Sequence, residues 1–210
     1  MHQEISTMTS PPRPESAAIV LASASPRRRE LLAQVGLKAR VVPADVDETV
    51  LPGETPQAHV VRLSVAKALA VAGQVDTAGC FFVGSDTVVV RDGSILGKPV
   101  DAADAAAMLR SLSGRAHEVV SGYAVHDRRS GRTLSGAVVT RVWFKELTDG
   151  EIAGYIASGE PFDKAGAYAI QGLGAFMVPR IDGSYPNVVG LPLCEVIAAL
   201  EELGAVNLFA

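Results

Sequence analysis

Residues 17–36, AAIVLASASPRRRELLAQVG, constrain the fold more than any other stretch of the chain. Residues 17–22 are a short apolar run with the length of a buried strand. The run passes directly into a helix, for which Ser25 suits the N-cap, Pro26 the first turn and Gly36 the C-terminal cap. Leu31, Leu32 and Val35 give that helix its apolar stripe. A strand feeding a helix in this way commits the chain to an α/β architecture.

The rest of the chain adds hairpins to that unit. A strand is expected at 39–43, followed by the acidic stretch ADVDE at 44–48. Thr55-Pro56 opens a helix with Ala58, Val61, Val65 and Leu69 on its apolar face, ending near Gly73. CFFVGS at 80–85 reads as a strand, and TVVV and ILG flank Asp92-Gly93, a tight-hairpin signal. Asp101 caps a helix carrying Ala105, Met108, Leu109 and Leu112, and strands at 116–126 and 133–145 are joined by the polar turn DRRSGR. Thr148 and Glu151 form a capping box, and a last helix at 192–203 shows Leu193, Val196, Ile197 and Leu200 on one face. Helices alternating with strands, together with hairpins, predict an α/β fold with a mixed twisted sheet flanked by helices. The first sixteen residues are polar, contain Pro11, Pro12 and Pro14, and lack the apolar run of a signal peptide. They read as a disordered tail ahead of one domain spanning 17–210.

Charge and composition remove several functional classes. Lys and Arg total 19 against 23 Asp and Glu, so a general nucleic-acid binder, which needs a basic excess, is not expected. Aromatic residues are 5% of the chain, too few for a single-strand stacking platform. Cys80 and Cys194 are far apart and form no metal or disulfide pattern, which fits a reducing cytoplasm. The apolar run at 17–22 is too short to span a membrane.

Chemistry concentrates at a few positions. SASPRRR places Arg27, Arg28 and Arg29 at a helix N-terminus, where cations oppose the macrodipole. It is either a solvated basic turn or an anion site in which arginine joins the unpaired helix amides, with phosphate as the natural guest. Asp86 follows the strand CFFVGS and is expected at a strand's C-terminal end, as a turn aspartate or a ligand-facing carboxylate. Asp45, Asp47 and Glu48 are a second source of carboxylates, and hard oxygen donors suit Mg²⁺ or Mn²⁺ rather than zinc. Lys67 lies in the apolar helix stretch SVAKALAVA, where it either snorkels to solvent or meets phosphate, and Lys98 in GKP has the same two readings. GSILGKP is not a Walker loop, because Pro99 replaces the required Ser or Thr and the glycine spacing is one short. Nothing in the spacing of His59, His117 or His126 marks a catalytic base.

Eight blocks, in this order, resemble the Maf family: SASPRRRELL (23–32), DVDE (45–48), AKA (66–68), GSDT (84–87), LGKP (96–99), LSGRAHEVVSG (112–122), DKAGAYAIQG (163–172) and IDGSYPNVVGLPL (181–193). Maf proteins are nucleoside triphosphate pyrophosphatases, also named septum-formation inhibitors. The resemblance implies a two-lobed fold around a central cleft, like inosine triphosphate pyrophosphatases. It also implies metal-dependent cleavage between the α and β phosphates of a nucleoside triphosphate. It places the active-site aspartate at Asp86, the metal and water acid at Asp47 with Glu48 as the alternative, and the phosphate lysines at Lys67 and Lys98. Ser23 and Arg27 match the opening motif. Arg27, Thr87 and Gln171 match the specificity positions of the branch acting on dTTP and UTP. A homodimer is the family's expected assembly. The competing expectation is a nucleotide-binding regulator of cell division that hydrolyses little or nothing.

Overall fold

The protein is described by a computed structural model covering residues 18–74 and 78–209. The expected tail at 1–16 lies outside the described residues. Strands β1 (Ile19–Leu21), β2 (Ala39–Val41), β3 (Phe81–Arg91), β4 (Ser94–Leu96), β5 (Ala116–Asp127), β6 (Thr133–Trp143) and β7 (Arg180–Asp182) form one sheet. Its order is β2-β1-β3-β5-β6-β7, with β4 paired to β3. β1 is parallel to β2 and β3, and every other pairing is antiparallel, so the sheet is mixed as expected. Helices α1 (Pro26–Gln34), α2 (Pro56–Ala72), α3 (Ala102–Leu112), α4 (Asp149–Ala157), α5 (Tyr185–Val189) and α6 (Leu193–Glu202) flank it.

The two-residue period of β3 assigns its side chains to different cores. Phe81 and Val83 join Leu21, Leu31, Leu32, Val196 and Leu200 in a core built around α1 and α6. Val89, on the same face, joins Leu109, Leu112, Ile152 and Met177 in a second core around α3 and α4. Phe82, Val88 and Val90 point the other way, where they meet Val60, Ala68 and Val71 of α2. The two cores on one face are the two lobes, and β3 and β5 run through both.

Helix α2 shows the opposite face from the one its aliphatic pattern predicts. Leu69 is 44% exposed, Ala58 is exposed, and Val61 and Val65 are only half-buried. The buried face carries His59, Val60, Leu63, Ser64, Lys67, Ala68 and Val71. Three polar residues interrupt this inner stripe and disguise it. Each has a partner: His59 Nδ1 lies 3.0 Å from Glu54, Ser64 Oγ donates to the Val60 carbonyl at 2.6 Å and Lys67 Nζ to Asp86 at 2.7 Å. The helix backbone lies directly on the sheet: a Cβ at Gly84 would fall 2.1 Å from the Ser64 carbonyl, and one at Gly122 2.2 Å from that of Val60.

A second correction concerns Asp86, expected at the end of a strand. GSDT does not interrupt the sheet; β3 is one strand of 11 residues, and Asp86 pairs with Gly122 in its middle. β3 continues because β5 accompanies it from Phe81 to Val90, long after β1 has stopped at Val83. The short helix α5 and the 3₁₀ turns at Glu160–Asp163, Ala165–Ala167 and Gly172–Met177 are further additions to the expected elements. The capping box at Thr148 and Glu151 is present, whereas Ser25, at the N-cap of α1, makes no side-chain cap.

Candidate active site

Between Val83, the last residue of β3 paired to β1, and Val89, the first paired to β4, one edge of β3 has no strand beside it. A cleft of about 630 Å³ opens at this gap, a volume within the range of small-ligand pockets. It lies beyond the carboxyl end of β1, where open α/β sheets place their ligands. Its walls come from the start of α1, the loop after β2, α2, the turn after β4, residues 163–171 and the end of α5.

Asp86 lies on the α2 face of the sheet, in line with Gly84 and Val88. Because α2 rests on the glycines, Lys67 reaches it: Nζ is 2.7 Å from Asp86 Oδ1 and 2.6 Å from Glu48 Oε1. Lys67 and Asp86 are both 8% exposed. Partial burial would push the Glu48 carboxyl up, but the Lys67 hydrogen bond and charge, reinforced by Lys98 and Arg28, hold it below its ordinary value. Asp47 behaves differently. It is exposed, accepts a hydrogen bond from the Thr49 amide at 2.9 Å, and does not line the cleft. Of the two adjacent acids, Glu48 is the one turned toward Asp86.

The loop carrying Glu48 is tied to α2 by a second charged group. Arg62 donates to Glu54 through Nε at 2.6 Å and Nη2 at 2.8 Å, and to the Thr49 carbonyl at 3.0 Å. His59 Nδ1 lies 3.0 Å from the same carboxylate. The Arg62 hydrogen bonds hold the Glu54 carboxyl well below its usual range, at about 2. His59 is thus a buried anchor of the loop and part of the cleft wall. His117 is a core residue, packed edge-on to Phe144 and Tyr168, and burial lowers its pKa to about 4.

Thr87, one residue beyond Asp86, points to the opposite face. There Arg28 gathers the site: Nε donates to the Gly190 carbonyl at 2.7 Å, Nη1 to Ser23 Oγ at 3.0 Å and to the Ser85 carbonyl at 2.8 Å, and Nη2 to Thr87 Oγ1 at 3.1 Å. Sequence reasoning selected Arg27 and overlooked Arg28. A usable signal existed, because Arg28 stands three and four residues before Leu31 and Leu32, on the same inner face of α1. The Arg27 side chain lines the cleft and has no hydrogen bond or ion pair among the described residues, and the same holds for the side chains of the exposed Lys98 and of Gln171. Ser23 Oγ accepts from the Ser25 amide at 3.2 Å, while no side chain among the described residues caps the first amides of α1.

Among the described residues no group of three or more His, Cys, Asp or Glu is arranged so that it could hold a metal ion by itself. The donor set that exists is two carboxylates, Glu48 and Asp86, aimed at one positive charge. Hard oxygens in that number suit a Mg²⁺-type ion, which takes one or two protein carboxylates and completes its shell with water and substrate phosphates.

The family model described as "Maf-like protein" matches residues 18–203. A protein of Syntrophotalea carbinolica named dTTP/UTP pyrophosphatase is 63% identical over 199 residues, which cover 95% of this chain and 90% of that one. One of Geotalea uraniireducens with the same name is 59% identical, covering 90% and 96%, and one of Anaeromyxobacter dehalogenans 53% identical, covering 89% and 94%. No helix among the described residues is long and apolar enough to cross a membrane.

Proposed function

The chain belongs to the Maf family, and on that premise we propose that it is a metal-dependent pyrophosphatase hydrolysing dTTP and UTP to the nucleoside monophosphate and pyrophosphate. The observation that carries this reading is the convergence of Asp86 and Glu48 on Lys67, at 2.7 and 2.6 Å, beside a helix start whose N-cap residue, Ser25, makes no side-chain cap. Carboxylates and cations interleaved in one cleft are what a highly anionic substrate and its counterion need.

Lys67 occupies Asp86 Oδ1, and Oδ2 has no hydrogen-bond partner among the described residues. Asp86 therefore has one oxygen available to orient an attacking water and accept its proton. A divalent cation, Mg²⁺ or Mn²⁺, held by Glu48 and Asp86 would supply positive charge against the triphosphate and a water acidic enough to react near neutral pH. Asp47, which the family resemblance favoured, is less suited to that task because it is exposed and does not line the cleft. Lys67, Lys98 and Arg27, with Ser23 and the α1 amides, grip the phosphates and offset charge on the departing pyrophosphate. Thr87 and Gln171 read the base on the other side of the β3 edge.

Residues 17–210 act as one catalytic unit on this reading, since β3 and β5 thread both lobes. The net charge of −4 fits a nucleotide rather than a nucleic acid as substrate. Both cysteines are free, in keeping with the cytoplasm as the working compartment.

Incubating the purified chain with each nucleoside triphosphate and Mg²⁺ or Mn²⁺, then identifying the phosphate released, tests the proposal. Pyrophosphate from dTTP and UTP is expected. Orthophosphate would indicate a general phosphatase, and binding without turnover a regulator. Gln171→Ala is expected to shift the ranking of nucleotides roughly tenfold, because an amide can both donate to and accept from a pyrimidine edge. Its effect on turnover of the best substrate should be smaller. An unchanged dTTP, UTP and GTP ranking would remove Gln171 from base reading.

A further inference from the structure

Thr87 faces the cleft with a hydroxyl hydrogen that is already committed elsewhere. Its partner on the neighbouring strand, Ser121, is fully buried; Ser121 Oγ lies 2.8 Å from Thr87 Oγ1 and 2.9 Å from the Asn187 carbonyl oxygen. A carbonyl can only accept, so the Ser121 hydrogen goes to Asn187. Ser121 Oγ is then an acceptor toward Thr87, and the Thr87 hydrogen points at Ser121.

The alternative acceptor for Thr87 is the Gly190 carbonyl, but it is farther, at 3.3 Å, and already receives Arg28 Nε at 2.7 Å. Arg28 Nη2 takes one lone pair of Thr87 Oγ1 at 3.1 Å. One lone pair remains, and Thr87 lines the cleft. The far end of the relay is fixed as well. Asn187 is fully buried, and its Nδ2 donates to the Val119 carbonyl at 3.1 Å and to Thr140 Oγ1 at 2.9 Å.

We propose that Ser121 is a positioning residue that locks the Thr87 hydroxyl as an acceptor, so that the pocket favours a pyrimidine with a ring N–H, as in thymine and uracil, over one with a bare ring nitrogen, as in cytosine. This deepens the function proposed above and rests on Thr87 being a base contact. A bare nitrogen would place a lone pair against the free lone pair of Thr87. Turning the Thr87 hydrogen outward to meet it would leave the Thr87 and Ser121 oxygens facing each other at 2.8 Å with no hydrogen between them, unless Ser121 gave up its bond to the Asn187 carbonyl. Buried as it is, Ser121 has no water to relieve that contact.

The test compares kcat/KM for dTTP and dCTP in the full chain, in Ser121→Ala, in Thr87→Val and in the double variant, with thermal melting of each. Ser121→Ala frees Thr87 to donate, so the dTTP preference should fall roughly tenfold, chiefly through a lower KM for dCTP. Thr87→Val should lose preference by a similar factor, and adding Ser121→Ala to it should change the ratio no further, because Ser121 acts through Thr87. A ratio unmoved in a folded, active Ser121→Ala overturns the proposal, as does an equal change in the Thr87→Val background. Should Ser121→Ala melt early, Ser121→Cys keeps the volume, accepts hydrogen bonds poorly and carries the same expectation. A native chain releasing no pyrophosphate from dTTP or UTP would instead overturn the pyrophosphatase reading, and the selectivity proposal with it.

Discussion

Asp86→Asn is expected to slow pyrophosphate release from dTTP roughly a thousandfold while leaving the fold in place, a loss typical of removing a general base. Asparagine has the shape of aspartate and can keep the Lys67 contact through its amide oxygen. The β3–β5 ladder around it consists of backbone hydrogen bonds that the substitution does not touch. What disappears is the oxygen that can take a proton and one of the two negative charges available to a cation. Pyrophosphate release and a thermal melt check both halves of the expectation. Near-normal turnover would take the catalytic task away from Asp86.

Lys67→Met is expected to be as damaging to activity and, unlike Asp86→Asn, to lower stability. The methionine fills the space of the lysine stem but leaves Asp86 and Glu48 without their shared cation. Breaking a buried ion pair by removing one partner costs about 3–5 kcal/mol, and the lower end applies because the Glu48 side chain is 55% exposed. Added Mg²⁺ should recover more of the melting temperature in Lys67→Met than it adds to the native chain, since it binds the folded state and replaces the lost charge. It should not restore turnover, because the phosphate contact proposed for the ammonium is still missing. Equal Mg²⁺ shifts in the two proteins would mean that the two carboxylates are not the cation site.

What could be read from the sequence was local. The strand entering α1, the Asp92-Gly93 hairpin and the Thr148–Glu151 capping box are each specified by residues within a turn of one another, and each is present. The inner face of α2 was not legible, because its fit depends on Gly84 and Gly122, which are distant in the chain and bring the helix backbone onto the sheet. The same packing buries His59, Ser64 and Lys67, so the face that matters looks the more polar of the two. Asp86 sits mid-strand because a partner strand more than thirty residues away keeps β3 extended, and no signal inside GSDT conveys that. Glu48 differs from Asp47 by one backbone position in an irregular loop, and its direction is set by the Glu54–Arg62–His59 anchor. Arg28 could have been singled out by helical spacing, but three arginines in a row drew attention to their charge and away from their phase.

Asp86 and Thr87 are neighbours in sequence and face opposite sides of one strand. The carboxylates and Lys67 on one side, and Thr87, Ser121 and Asn187 on the other, share no hydrogen bond among the described residues. On the function proposed above, hydrolysis and base choice can therefore be inherited separately. A lineage can retune which base it accepts by exchanging residues under α5 without disturbing the groups that break the phosphoanhydride, and descendants with different diets can keep one unaltered chemistry.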